Sequence, residues 1–500
     1  MSRRVYIQTV GCQMNVLDSE LVAADLLQAG YELVAAARQA DIILFNTCSV
    51  RQHAEDKIYS ALGRLKHVKE RHPTRIIGVI GCMAQKDQLE IFRRAPHVDL
   101  VVGPGQLRQL PLLLARIEAG QRPQMEVSLD RTACDRSGVE RSFARFDPPR
   151  TAKVRAVPHQ AMVRIMFGCD KFCTYCIVPR VRGPEQSRPA DEIEAEVRRL
   201  VDDGCLEVTL LGQTVNSYRD KAGARTVRLA DLLYRLEKIE GLRRLKFVTN
   251  HPRHMTDSLL QAVRDLSKVS PYLHVPAQSG SNRILRRMKR GYTVETYREM
   301  LARIRATIPE AAVTSDFIVG FCGESEADFR QTIDLVRDGR FKNSFIFKYS
   351  PRPGTKAAEL YPDDVPDEVK RQRNNELLAI QNAISLADNQ PFLGRRVEIL
   401  VEGPSKKHKA ATVGLAVAVG GGRWAVGGGE LIVAAGGSRR TVGVGRWAVG
   451  GTADGEIVQL VGRTVCDRIV VFDGPPALAG RILPVEIERV DAFTLFGKLP

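Results

Sequence analysis

Apolar runs of strand length alternate with stretches of helical spacing in two successive series along this chain. RVYIQT (4–9), ADIILFN (40–46) and RIIGVIG (75–81) are the first such runs. A helical pattern over 18–29 follows the first, with an Asp/Ser start signal and Gly30 as its stop; another runs from about 54 to 70. Strands that alternate with helices specify a parallel sheet. This first domain is expected over residues 1–120. Residues 121–158, rich in Arg, Asp, Ser and Pro without sustained periodicity, read as a linker. A second series then offers strands at 161–167, 206–212, 245–250, 272–277, 312–321 and 344–350, each followed by a helical pattern. Six units predict a partial (βα)6 barrel, since eight make a full one. A helix over 367–388 closes this core, expected over 159–388. In the last part, 389–500, the segments 395–403, 463–474 and 481–490 alternate like antiparallel strands and predict a small β-barrel. The chain thus reads as an α/β multidomain protein: an open α/β domain, a partial barrel and a small β-barrel. A Gly-, Ala- and Val-rich stretch at about 410–455 interrupts the last domain. It carries GRWAVGG twice, too few copies for a solenoid, and reads as an inserted loop.

At 500 residues with 44% hydrophobic content, the chain is long enough for several cores and too apolar for wholesale disorder. Its formal net charge of +16 calls for an anionic partner, nucleic acid first, with a merely basic soluble enzyme as the alternative. The two arginines near the start precede no apolar signal core, and no run approaches a membrane span. A cytoplasmic protein without membrane association is therefore expected. There thiols stay reduced, and clustered cysteines point to metal or catalysis rather than disulfides.

The chemistry-bearing motif is FGCDKFCTYCIVPRVRG (167–183), where Cys169, Cys173 and Cys176 form C-x3-C-x2-C just after a predicted strand. Three thiolates can hold three irons of a 4Fe–4S cube and leave the fourth open. A structural zinc would want a fourth ligand, and no neighbouring Cys or His stands in this stretch. A second set is dispersed. Cys12, Cys48 and Cys82 each fall just past the C-terminal end of a predicted strand of the first domain. Such ends converge on one crevice in an open α/β sheet, so these three could hold a second cluster. The alternative is buried cysteines packed as small hydrophobes.

The C-x3-C-x2-C segment resembles the radical-SAM superfamily. That resemblance implies that S-adenosyl-L-methionine (SAM) binds the open iron, that one electron cleaves its sulfonium to give a 5′-deoxyadenosyl radical, and that Tyr175 lies near the adenine. GCQMNVLDSE, NTCSVRQHAEDK, GCMAQ, LLGQTVNSY, HVPAQSGSNRIL and YSPRPGTKAA together resemble the methylthiotransferase family, in its tRNA-2-methylthio-N6-dimethylallyladenosine synthase branch (MiaB-like). VEGPSKK and LVGRTVCDRIVVF resemble a TRAM domain, a small RNA-binding barrel that the 410–455 insertion would split. The resemblance implies two 4Fe–4S clusters, the second on Cys12, Cys48 and Cys82. It also implies a tRNA substrate, a monomer, and an electron donor such as flavodoxin or ferredoxin. Ala277 and Cys322 depart from the family's usual Val and Pro.

Gln213, Asn216 and Ser279 follow barrel strands, where polar side chains suit SAM or substrate; a turn or cap role is the other reading. Asp316 invites the same pair of readings. Beyond the cluster ligands, the sequence assigns no catalytic residue. Cys205 and Cys466 read as core packing, Cys322 as incidental or as approaching a cluster, and Cys134 as unpartnered, while SKKHK (405–409) could meet phosphates or be solvated loop. Two alternatives stay open: methylthiolation of a ribosomal protein or other substrate, and a non-catalytic RNA-binding protein with structural zinc.

Overall fold

The structure, a computed structural model, describes residues 2–49, 52–129, 147–221, 225–405 and 457–500, with 416–418 as backbone only. Cys134, Lys406–Lys409 of the basic run and both GRWAVGG copies lie outside the described residues.

The first domain is an open parallel sheet. Its strands are β1 (Arg4–Val10), β2 (Ile42–Thr47), β3 (Ile76–Gly81), β4 (Leu100–Val102) and β5 (Gln124–Glu126), side by side in that order. Strand β5 falls within the stretch read as linker. Residues 416–418 of the insertion pair parallel with the outer edge of β1, opposite Gln8–Val10. Strands β2 and β3 are buried along their whole length, as sheets covered on both faces require. The register sets Val10 opposite Thr47 and Thr47 opposite Gly81, so these three strands end level.

Helix α1 (Gln13–Gln28) begins five residues before the expected start at 18. Cys12 stands at its N-cap, its backbone N–H donating to Asn15 Oδ1 at 3.3 Å. The Asp18–Ser19 pair taken as a start signal is mid-helix and fully buried. There Asp18 takes two arginines and Ser19 meets Thr9 Oγ1 at 2.6 Å. Buried polar partners, rather than capping, account for those residues.

The central domain follows the expected series: β6 (Gln160–Arg164), β7 (Glu207–Leu211), β8 (Arg244–Phe247), β9 (Tyr272–His274), β10 (Ala312–Val319) and β11 (Asn343–Lys348). They form two three-stranded parallel sheets joined by a bridge between Leu245 and Val269. One core runs beneath both, from Val163, Val208 and Leu245 to Leu273, Phe317 and Leu377. The six strands therefore make one curved wall, the partial barrel that six units predict.

The C-terminal domain is a closed five-stranded barrel: β12 (Arg396–Pro404), β13 (Val458–Thr464), β14 (Ile469–Gly474), β15 (Ile482–Val490) and β16 (Thr494–Lys498). Its core is small, around Ile399, Val401, Leu460, Phe472, Val485 and Leu495. Residues 463–474, read as one strand, are instead the end of β13, a turn and β14. Asp467 at φ 63° makes that reversal. The turn docks at the N-terminal ends of the core strands. Lys246 Nζ meets Asp467 and Glu207 carboxylates, both at 2.9 Å, and Lys342 Nζ donates to the Asp467 carbonyl at 2.6 Å. The opposite end of the partial barrel carries the cysteine motif.

Candidate metal centres

The level ends of β1, β2 and β3 bring three dispersed cysteines together. Cys12 lies two residues past Val10, Cys48 one past Thr47, and Cys82 one past Gly81. Neighbouring strands lie about 4.8 Å apart, so the sheet alone sets the three backbones close. The Cys48 N–H continues the ladder to the Val10 carbonyl at 3.0 Å. Gly81 makes the turn into the short helix Cys82–Asp87 at φ 90°. A Cβ there would lie 2.3 Å from Asn46 Oδ1 and 3.0 Å from the Thr47 carbonyl, so only glycine fits. Asn46 and Asn15 tie the loop: Asn15 Nδ2 donates to Asn46 Oδ1 at 3.0 Å, and Asn46 Nδ2 donates to the Asn15 carbonyl at 2.8 Å. The Cys48 thiol hydrogen-bonds Cys12 and, against the cost of burial, helps bring the Cys12 thiol down to about 6; the Arg182 charge and the first N–H groups of α1 act in the same direction. Burial pushes the Cys82 thiol up, opposed by the Arg182 guanidinium.

The second trio sits at the mouth of the partial barrel, in the loop after β6. Gly168 at φ 61° is again required, because a Cβ would meet the Pro184 carbonyl at 1.9 Å. Cys169 Sγ lies 3.8 Å from Thr214 Oγ1, and Arg290 donates to Cys173 Sγ at 3.2 Å. Burial raises the Cys169 and Cys176 thiols, the latter to about 12, and each is raised further by the Cys173 charge. Arg290 offsets part of the negative charge that three thiolates gathered out of water would carry, and a bound iron cluster would supply the rest. The donor set of three soft sulfurs fits such a group. Among the described residues, no three Cys, His, Asp or Glu side chains close around a single metal ion. A cube is held differently, one thiolate per iron at separate corners.

Of the expected SAM contacts, Tyr175 lies beside Cys173 and Cys176, its hydroxyl 3.4 Å from Arg290, and it packs against the apolar cluster that includes Ile284, Met288 and Phe321. Gln213 follows β7, and its Oε1 is buried without a hydrogen-bond partner, as is Asp316 Oδ1 on β10. Gln213 stands past the end of its strand, while Asp316 lies within β10 with its other oxygen 3.5 Å from His274 Nε2; buried acceptors of this kind suit a ligand that brings donors. Asn216 is already occupied: its amide pairs both ways with the His251 backbone, at 2.8 and 2.9 Å. Ser279 is buried and engaged with Thr332 and the Ser281 N–H. Thr249 and Gln278 hold φ near +70° past β8 and β9, a costly conformation that side chains seldom keep without a local demand. Cys205 and Cys322 are fully buried and Cys466 half-buried in the docked turn; none joins either trio.

Comparison with known proteins agrees with this layout. Residues 4–103 match the description "Uncharacterized protein family UPF0004", and 163–336 match the radical SAM superfamily. A protein of Rhodopirellula baltica named tRNA-2-methylthio-N(6)-dimethylallyladenosine synthase is 53% identical, over 100% of this chain and 96% of its own. Proteins of the same name from Moorella thermoacetica and Neisseria gonorrhoeae are 41% and 39% identical, over 99% of this chain and 97% and 99% of theirs. The chain belongs to this synthase family. Among solved structures, the radical S-adenosylmethionine methyltransferase TsrM from Kitasatospora setae aligns over 72% of this chain and 77% of its own, with a TM-score of 0.48 at 14% identity.

In this family member, the residues that sequence spacing did not reveal are arginines. Arg290, 117 positions from Cys173, clamps the motif through Cys173, Tyr175, Tyr292 and the Pro276 carbonyl. A second group joins the two domains. Arg150 binds Glu20 and Glu196, both at 2.8 Å; Arg188 binds Glu196 and Asp147 at 2.8 Å; Arg164 binds Asp147 at 2.5 Å; and Arg182 binds Asp18 at 2.6 Å. Four arginines thus face four carboxylates, all buried but the half-buried Asp147, with α1 on one side and the barrel wall on the other. No local motif announces this, because the partners lie up to 164 residues apart.

Proposed function

We propose that this radical-SAM methylthiotransferase converts N6-dimethylallyl adenosine at position 37 of tRNA, just 3′ of the anticodon, to its 2-methylthio derivative. The observation that carries this reading is the pair of three-thiol sets at the strand ends of two joined domains, in a chain whose relatives bear the synthase name. Cys169, Cys173 and Cys176 would hold the SAM-coordinated 4Fe–4S cube, and Cys12, Cys48 and Cys82 the auxiliary one. When bound, the first cube supplies the electron that cleaves SAM, and the second handles the sulfur to be inserted.

The chain's own residues prepare the site. Arg290 balances the Cys173 thiolate and fixes Tyr175 beside it. Gln213 and Asp316 present acceptors toward SAM, and Asn216 positions the loop at His251. Burial and the Arg290 charge bring the His251 pKa down to about 2, and the ring accepts from the Arg253 N–H at 3.3 Å. The C-terminal barrel, anchored through Asp467, supplies the RNA-binding surface, and the +16 net charge draws the anionic substrate. Flavodoxin or ferredoxin would be the reductant of a monomeric, cytoplasmic enzyme. Among the described residues no helix is long and apolar enough to cross a membrane.

The test is mass spectrometry of tRNA nucleosides from a strain lacking the protein. Loss of the methylthio adenosine, with the unmethylthiolated dimethylallyl adenosine accumulating, is expected. Unchanged methylthio adenosine, or loss of a ribosomal-protein modification instead, would overturn the assignment.

A further inference from the structure

One short helix connects the two thiol sets. Val178–Arg182 begins directly after the Cys176 motif and ends against the first domain. Ile177 and Val181 pack on Cys82, forming a small apolar cluster of their own. Arg182, six residues past Cys176, is buried. Its guanidinium charge acts on both the Cys82 and the Cys12 thiols, which it lies close enough to reach. Its other end is held at 2.6 Å by Asp18, which Arg164 of the barrel wall also approaches at 3.4 Å. The first domain therefore supplies the thiols and Asp18, and the radical-SAM motif supplies the cation that faces them.

We infer that Arg182 is a positioning residue that sets the reduction potential of the auxiliary cluster, with Asp18 as its counterweight. This rests on the reading that Cys12, Cys48 and Cys82 hold that cluster. The physical reason is charge. Adding an electron makes a cluster more negative, and the potential follows net charge and hydrogen bonds to its sulfurs. A buried guanidinium beside two ligand thiols favours the reduced state. A buried carboxylate beside that guanidinium takes part of the benefit away. Because the guanidinium belongs to the motif that holds the other cube, any shift of that motif would alter the charge felt by the auxiliary cluster.

Opposite signs for the two residues distinguish this from a merely structural role. The full chain carrying Cys169→Ala, Cys173→Ala and Cys176→Ala isolates the auxiliary cluster, which should retain about four irons. Arg182→Gln in that background is expected to lower the midpoint potential, read by EPR during an anaerobic redox titration. The expected size is at least a tenfold change in the oxidised-to-reduced ratio at fixed poise, or about 59 mV for one electron. Asp18→Asn should raise it, and Arg182→Lys should stay nearer the parent than Arg182→Gln. If Arg182→Gln fails to fold, the sign for Asp18→Asn decides alone: an upward shift supports the assignment, and no shift or a downward one overturns it. Shifts of the same sign in both variants also overturn it. Absence of any cluster in the unsubstituted background overturns instead the reading on which the inference rests, and the inference with it.

Discussion

Replacing Arg150 with methionine removes the guanidinium that Glu20 of α1 shares with Glu196 of the helix Ala190–Asp202. Arg150 is 5% exposed and donates to both carboxylates and to the Met162 carbonyl at 2.6 Å. Glu196 keeps Arg188 at 2.8 Å, so its loss is partial. Glu20 keeps the Ala156 N–H at 3.2 Å as its hydrogen-bond donor. Breaking a buried pair by removing one partner costs about 3–5 kcal/mol. Burial already holds Glu20 above the ordinary carboxylate range, and losing Arg150 raises it further. Proton uptake then limits the loss to the lower part of that range. About 3 kcal/mol corresponds to a fall of about 6–12 °C in apparent Tm for a unit of this size. A carboxyl whose folded pKa exceeds its unfolded value contributes stability that is complete below the unfolded pKa and lost as pH rises through the folded one. The gap between Arg150→Met and the parent should therefore narrow as pH falls from 8 toward 5. Thermal unfolding of anaerobically purified protein by far-UV circular dichroism measures it. Adding Glu20→Met should recover part of the loss, since apolar replacement of a buried pair is often neutral. A loss below about 1 kcal/mol, the worth of an exposed pair, or a gap that widens in acid, would refute the reasoning.

Two further outcomes follow from the same geometry. Gly81→Ala forces a Cβ against Asn46 and a left-handed φ on alanine, at about 1–3 kcal/mol, and should displace Cys82. Iron per chain should drop by about half; parent iron content would contradict it. Asp467→Ala leaves Lys342, which burial already brings down to about 8, without its facing carboxylate, and deprives Lys246 of one of two. Hydrogen exchange across 465–468 and the N-terminal end of β8 should accelerate by about tenfold or more per 1.4 kcal/mol of lost docking energy; unchanged protection would show that the barrel is anchored elsewhere.

Strand–helix periodicity made most of the fold legible, because each apolar run that reads as a parallel strand has to be covered on both faces. It misplaced α1 for a specific reason. Asp18 and Ser19 have the chemistry of caps, but here that chemistry serves a buried network that long-range partners complete. It merged the end of β13 with β14, since a tight turn through Cys466 and Asp467 carries neither Gly nor Pro, and it passed over β16, whose five residues lie next to the chain end. At the site, cysteine spacing and strand ends were readable from sequence, and the register of Val10, Thr47 and Gly81 accounts for why three distant cysteines meet. Arg290 and Arg182 were not readable. A cation's partner in the fold leaves no periodic trace, and of the two readings open for Asn216, ligand contact or turn, sequence could not show that its amide pairs with the His251 backbone.

In the proposed reaction two separately held clusters divide the work. The most direct measurement is on the chain with Cys12, Cys48 and Cys82 all replaced by alanine, checked for folding by circular dichroism. It should retain about half the parent's iron and still form 5′-deoxyadenosine from SAM under reducing conditions, while making no methylthio adenosine in tRNA. Methylthiolated product from that folded variant would contradict the account.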